Sequence, residues 1–258
     1  MAYTNIDDPS AYFQTALWTG TNAVNKVITN DGNSDLQPDL IWAKARTSTS
    51  YTDNHFIVDS SRGRTKGLVP NDTSAETTTT GNQSENDLLS FNTDGFTVGI
   101  VNSTAALNAS SASNVAWQWK ANASTTSSNT DGSITSTVQV NQDAGFSIVQ
   151  YTGTGTAATI GHGLGVAPAM YIVKNRDQVG TNWTVFHKDL TSNAYSLYLN
   201  DNSAQSNAVG YWNGTSPTST VFSIKNTSGD VNTNTEDYVV YCFAEKQGYS
   251  KFGKYVGN

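Results

Sequence analysis

Apolar and polar residues alternate along this chain in short runs, and no segment keeps the 3.6-residue apolar spacing of an amphipathic helix. Phe146-Ser147-Ile148-Val149-Gln150-Tyr151 is such a run, rich in β-branched and aromatic residues, and predicts a strand. Comparable strands are predicted at Ala11–Thr19, Leu36–Ala45, Phe56–Val58, Leu88–Phe91, Phe96–Val98 and Val115–Lys120. In the second half they fall at Met170–Lys174, Trp183–His187, Ser196–Leu199, Val221–Ile224 and Tyr238–Ala244. Thr93-Asp94-Gly95 between two of these runs is a hairpin signal. Many short strands joined by Gly/Asn turns predict an all-β chain, and among such folds a jelly-roll or lectin-like β-sandwich is expected.

The pattern occurs twice. Leu17-Trp18-Thr19-Gly20-Thr21 returns as Gln150-Tyr151-Thr152-Gly153-Thr154, and Lys254-Tyr255-Val256-Gly257 begins it again. Pro38–Arg46 aligns with Pro168–Arg176, Gly95–Val98 with Val221–Ile224, and Ala116–Trp119 with Val240–Phe243. A period above 100 residues is too long for a solenoid unit and predicts two tandem β-sandwich domains. Their expected limits are 1–133, including a lead-in and a Ser/Thr/Asn-rich linker at 121–133, and 134–258. The third marker suggests that Phe252–Val256 closes the second domain as a strand, as Phe146–Tyr151 would close the first. Residues 71–87 read as a long polar loop.

Composition fits compact β domains with polar surfaces. Ser, Thr and Asn make up 90 of the 258 residues, while only 14% are charged. Six Trp and twelve Tyr set the chain apart from a disordered one. A net charge of −7 argues against general nucleic-acid binding, which needs a positive footprint. No apolar run approaches a membrane span and no secretory signal is visible, so synthesis in a cytoplasm is expected. Cys242 has no second cysteine to pair with and is read as reduced, buried and inert.

Candidate chemistry is sparse. HExxH, GxSxG and CxxC are absent, and Asp31-Gly32-Asn33-Ser34-Asp35 lacks the Glu of a calcium loop at its twelfth position, so neither a metal nor a cofactor is expected. No catalytic residue is assigned. A dispersed carboxylate pair acting on glycans is the surviving enzymatic alternative. His162, in Gly161-His162-Gly163-Leu164-Gly165, reads as a surface histidine in a tight turn, and His55 and His187 as structural strand residues. Lys44/Lys174, Arg46/Arg176 and Asp59/Asp189 recur, and a salt bridge fixing the sandwich edge is expected from them, with a polar ligand contact as the alternative. Trp117 and Trp119 point to one face of a strand and are read as core, as are Trp18, Tyr151 and Tyr255. Trp212, with Tyr211 and Asn213 in a turn-rich segment, is the candidate for stacking on a sugar. Arg62, Arg64 and Lys66, together with Lys251 and Lys254, are the candidate docking cations for an acidic partner.

The phrases at Trp18–Gly20, Pro38–Arg46, Asp59–Gly63, Thr93–Gly99, Gly161–Pro168 and Gly248–Gly257 resemble a tandem β domain of phage virion proteins, as in tail-fibre and other structural proteins of marine cyanobacterial phages. The resemblance implies a non-enzymatic virion protein in a tail or fibre appendage that contacts the host surface. Its implied partners are other virion proteins, a host glycan or receptor, and copies of itself, with a trimer expected. The alternative is capsid decoration or a head fibre with viral partners alone. The Gly-His-Gly-Leu-Gly turn has no counterpart in the first half, where Asn30–Gln37 stands instead.

Overall fold

The computed structural model describes residues 4, 6–47, 54–78, 88–100, 107–226 and 228–257. Among them the only helix is one 3-10 turn, Pro9–Ala11, and everything else regular is β. By its contacts the chain divides into two compact units. The first holds Asp8–Asn71 and Glu76–Ser124; the second holds Met1–Asp7, Asp72–Ala75 and Thr125–Asn258.

The first unit contains β1 (Phe13–Thr19), β2 (Lys26–Ile28), β3 (Leu40–Ala45), β4 (His55–Asp59), β5 (Lys66–Gly67), β6 (Thr77–Thr78), β7 (Leu88–Phe91), β8 (Phe96–Val98) and β9 (Ser113–Trp119). Its main sheet has the order β1-β9-β3-β4, antiparallel throughout, beside a smaller sheet β2-β8-β7. Ala16, Trp18, Ile41, Ala43, Phe56, Val58 and Ala116 of the main sheet share one apolar core with Ile28, Leu88, Phe96 and Val98 of the smaller one. The hairpin signal holds. Phe91 pairs with Phe96, and Gly95 sits at φ +89° with Ile28 O only 2.0 Å from where a Cβ would stand, so only glycine fits.

The second unit contains β10 (Ser127–Asn129), β11 (Ser136–Asn141), β12 (Phe146–Thr152), β13 (Ala158–Gly161), β14 (Met170–Asn175), β15 (Thr184–His187), β16 (Leu197–Tyr198), β17 (Val221–Ile224) and β18 (Asp237–Phe243). Its sheet, β10-β11-β12-β18-β14-β15-β16, contains the first unit's order at its centre: β12-β18-β14-β15. The pair β13-β17 shares with it a core that includes Tyr171, Phe186, Trp212, Phe222 and Val240.

The repeated Thr-Gly-Thr phrase has one structural cause in both units. In the first, buried Asn108 accepts from Thr21 N (2.9 Å) and donates to Ala23 O and Gly99 O, while Trp18 Nε1 donates to Leu107 O. In the second, buried Asn232 accepts from Thr154 N (2.9 Å) and donates to Thr156 O and Lys225 O, while Tyr151 donates its hydroxyl proton to Val231 O. Gly20 and Gly153 pass so close to the neighbouring backbone that a Cβ would lie 2.0 and 2.2 Å from a carbonyl oxygen.

Three expectations about organisation need correction. Phe252–Val256 forms no strand; in each unit the strand carrying the Thr-Gly-Thr phrase pairs with the last strand, β1 with β9 and β12 with β18, and the other side of β12 is taken by β11. Tyr255, read as core, is 93% exposed. The segment read as a linker is held at its start, because the buried Asp39 carboxylate accepts from the amides of Ala121, Ala123 and Ser124 and from the Ser60 hydroxyl. It then contributes β10, paired with β11. Of the expected loop 71–87, residues 79–87 lie outside the described residues, and Thr77–Thr78 pair with β5.

Candidate functional site

Strand alternation decides which side chains the first unit presents. With Ala16 and Trp18 of β1 inward, Phe13, Thr15, Leu17 and Thr19 face outward. Register extends this outer face: Thr15 lies opposite Trp117, Trp117 opposite Trp42, and Leu17 opposite Val115, which is opposite Lys44, which is opposite His55. Trp42, Trp117, Trp119 and Phe13 are half-buried there, and Leu17 is 64% exposed. This overturns the core reading of Trp117 and Trp119. The core position on that strand belongs to Gln118, whose amide donates to Asn30 Oδ1 (2.6 Å). The donor side of that amide is satisfied, while its buried Oε1 has no hydrogen-bond partner.

The outer aromatics are held in place by one another. Trp42 and Trp117 meet edge-on at 6.4 Å, and Phe13 and Trp119 lie 5.0 Å apart. The Trp42 indole donates its Nε1 proton to His55 Nδ1 at 2.9 Å, with the two rings edge-on. An accepting Nδ1 makes His55 the neutral tautomer with its proton on Nε2. Burial, and then the charge of Lys44, lower its pKa in the same sense. The result is a strip of fixed aromatic side chains beside a hydroxyl, an ammonium and an imidazole N–H. Flat faces of that kind hold the apolar side of a sugar ring, and polar neighbours hold its hydroxyls.

The residues singled out from sequence fare differently. Trp212 is fully buried, with Nε1 donating to Tyr195 O and its ring edge-on to Tyr171, so it offers no face for stacking. Tyr211 is also buried and donates its hydroxyl proton to Asp230, leaving only Asn213 exposed in the turn. The basic loop is largely neutralised within its own unit. The Arg62 side chain is fully buried between Asp59 (2.6 Å) and Glu76 (2.7 Å), and Lys66 lies 3.7 Å from Glu76 and donates to Thr78. Arg64 is half-buried, with Nη1 enclosed and without a hydrogen bond. Lys251 and Lys254 are exposed.

The recurring Lys-x-Arg and Asp do not meet in either unit. Antiparallel pairing puts Lys44 opposite His55 and Asp59 opposite Leu40, at opposite ends of the β3–β4 hairpin. Lys174 is instead buried, donating to the carbonyl and hydroxyl of Thr181, and burial brings its pKa down to about 8. His162 is not on the surface either. Fully buried, it accepts from Leu164 N at Nδ1 and sets Nε2 against Thr218 O at 3.2 Å, and burial lowers its pKa. Cys242 is buried and free, its thiol pushed up to about 12 by desolvation.

The second unit also holds a cavity of about 340 Å³ lined by Val166, Pro168, Phe186 and Pro217, with the ion pair Lys188–Glu245 (2.6 Å) in its wall. Among the described residues no cluster of His, Cys, Asp and Glu is arranged to hold a metal ion, and no helix is long and apolar enough to cross a membrane. Sequence reasoning missed Asn108 and Asn232; the alignment of Leu107-Asn108-Ala109 with Val231-Asn232-Thr233 was the signal available.

No curated protein and no solved structure matches this chain. Residues 8–258 match a family model that spans the first unit and all of the second but Met1–Asp7. The chain belongs to the family described as "Domain of unknown function (DUF7483)".

Proposed function

We propose that this chain is a non-enzymatic structural protein of a phage particle, part of a tail or fibre appendage, whose first unit holds a host-surface saccharide on its outer aromatic face. The two units are two tandem β-sandwiches of jelly-roll or lectin-like type, each a rigid support for what its large sheet displays. The observation that carries the reading is the strip Phe13, Trp119, Trp117 and Trp42, partly exposed and fixed by strand register and by His55. Soluble monomers seldom leave such a patch without a use. Thr15 and His55 add hydroxyl and N–H groups to the same face. One such face binds a sugar weakly; many copies on one particle multiply the contact.

A glycan array probed with the intact chain, followed by titration of the best saccharide, tests this. Trp117→Ala and Trp42→Ala are expected to weaken binding about tenfold or more each, the loss of one stacking partner. Binding unchanged in both variants, or no saccharide bound by the assembled protein, would remove the reading. Release of reducing ends from a bound polysaccharide would replace it with an enzymatic one. The exposed Lys251 and Lys254 support the other placement, docking on a capsid lattice. Density for this protein on the capsid of the intact particle would select it.

A further inference from the structure

The free edges of the two large sheets are not alike. On β4 the edge is occupied, because Ile57 and Leu68 exchange both backbone hydrogen bonds, at 2.8 and 2.9 Å. In the second unit the edges are β10, three residues long, and β16, two residues long. Short edges of this kind offer little template for another strand. The edge at β1 is different. It runs seven residues, Phe-Gln-Thr-Ala-Leu-Trp-Thr, without a charge, a proline or a glycine, and among the described residues no strand pairs with its far side.

The second unit shows what fits there. β12 is the counterpart of β1, each lying beside the last strand of its unit. The far side of β12 takes β11 as an antiparallel neighbour over five residue pairs, from Thr137–Gln150 to Asn141–Phe146. Val138 of β11 is thereby buried and joins the core. On β1 no described strand takes that seat, and Leu17 beside it stands 64% exposed.

We infer that β1 is the edge through which two copies of this chain pair, antiparallel, about a twofold axis at Ala16. An antiparallel pair centred on Ala16 sets Phe13 opposite Thr19 of the second copy, Gln14 opposite Trp18, and Thr15 opposite Leu17. Directly opposed residues share a face, so the outer row of one copy continues into the outer row of the other. The smallest side chain of the strand falls on the axis, and none of the seven pairs brings charge against charge. Self-pairing through one patch used by both copies closes the assembly at two. The two four-stranded sheets become one of eight strands, and the aromatic strips of both copies lie on one continuous surface.

The pairing does not depend on saccharide binding and is tested without sugar, by sedimentation equilibrium of the intact chain. The wild type is expected to be a dimer. Thr15→Lys combined with Leu17→Lys places lysine opposite lysine twice and is expected to raise the dissociation constant about a hundredfold. Thr15→Glu combined with Leu17→Lys places glutamate opposite lysine twice and is expected to return it to within about tenfold of wild type. Both side chains are exposed, and an unchanged melting curve verifies that each variant folds. A wild type monomeric at about 100 µM, a trimer, a double-lysine variant that dimerises normally, or a glutamate–lysine variant that fails to recover would each overturn the pairing.

Discussion

The outer faces of the two large sheets start from similar residues and end in different places. In the first unit the face carries Thr15, Trp117 and Trp42 in one row; in the second the matching row is Ile148, Tyr241 and Ile172. The first row is partly exposed at its tryptophans, whereas Ile148, Tyr241 and Ile172 are 0%, 1% and 5% exposed. The inner faces, by contrast, do the same work in both. Trp18 and Tyr151, Phe96 and Phe222, and Phe56 and Phe186 are all buried core residues. The two units therefore share the inner face and the turn geometry and differ in the burial of the outer face. An apolar residue on a strand reports that its face is apolar, and burial depends on what covers that face.

The largest expected effect breaks the comparison if it is absent. Tyr241→Ala empties a filled site and is expected to cost the second unit about 4 kcal/mol, against about 1 kcal/mol for Trp117→Ala in the first. Urea unfolding of the two variants measures both. Equal costs would mean that Trp117 is a core residue after all. Next come the two asparagines. Asn108→Ala and Asn232→Ala each remove the same three hydrogen bonds to backbone groups, and each is expected to cost about 3 kcal/mol, alike in the two units. Unequal losses would show that the matching clamps carry different loads.

The smallest effect is on pH. His162 and His55 both have folded pKa values lowered from the ordinary 6.5, so the unfolded chain binds more protons than the folded one as acid is added. Their contribution is complete above about pH 6.5 and is lost as the pH falls from there toward the folded values. His162 is buried and His55 only partly so, and His162→Gln is expected to remove more of the acid sensitivity than His55→Gln. Thermal melts at steps from about pH 7.5 down to about pH 5 would show it. A steeper acid loss from His55 would reverse the order of the two sites.

Much of this architecture was legible in the residues. The alternating runs marked the long strands, the returning phrases marked the strands that recur in the same order in both units, and Thr93-Asp94-Gly95 marked a turn that only glycine completes. Strand β11 went unseen because Ser-Thr-Val-Gln-Val-Asn has two apolar positions inside a polar stretch, and its burial comes from β12 beside it. Trp117 and Trp119 read as core from their aligned counterparts Tyr241 and Phe243, of which Tyr241 is indeed buried. The first unit instead places Gln14, Asn114 and Gln118 on the inner face, with amide donors satisfied by Ser34 O, Ala112 O and Asn30 Oδ1. Asn108 was hidden by composition, one of 27 asparagines. The basic loop lost its charge to Glu76, a partner fourteen positions from Arg62 that no local pattern announces.

The Asp39 carboxylate has a mechanical consequence. In the first unit Phe13 lies opposite Trp119, and Lys120 N donates to Tyr12 O, so the chain comes in and goes out at neighbouring points. Tension applied there peels β1 from β9 one residue pair at a time, the weakest direction in which a sheet can be loaded. Asp39 sits at that opening, its own N–H bonded to Trp119 O and its carboxylate gripping the amides of Ala121, Ala123 and Ser124. Force arriving from the outgoing chain reaches those three bonds before the strand pair feels it, and Asp39 acts as the catch on the zipper.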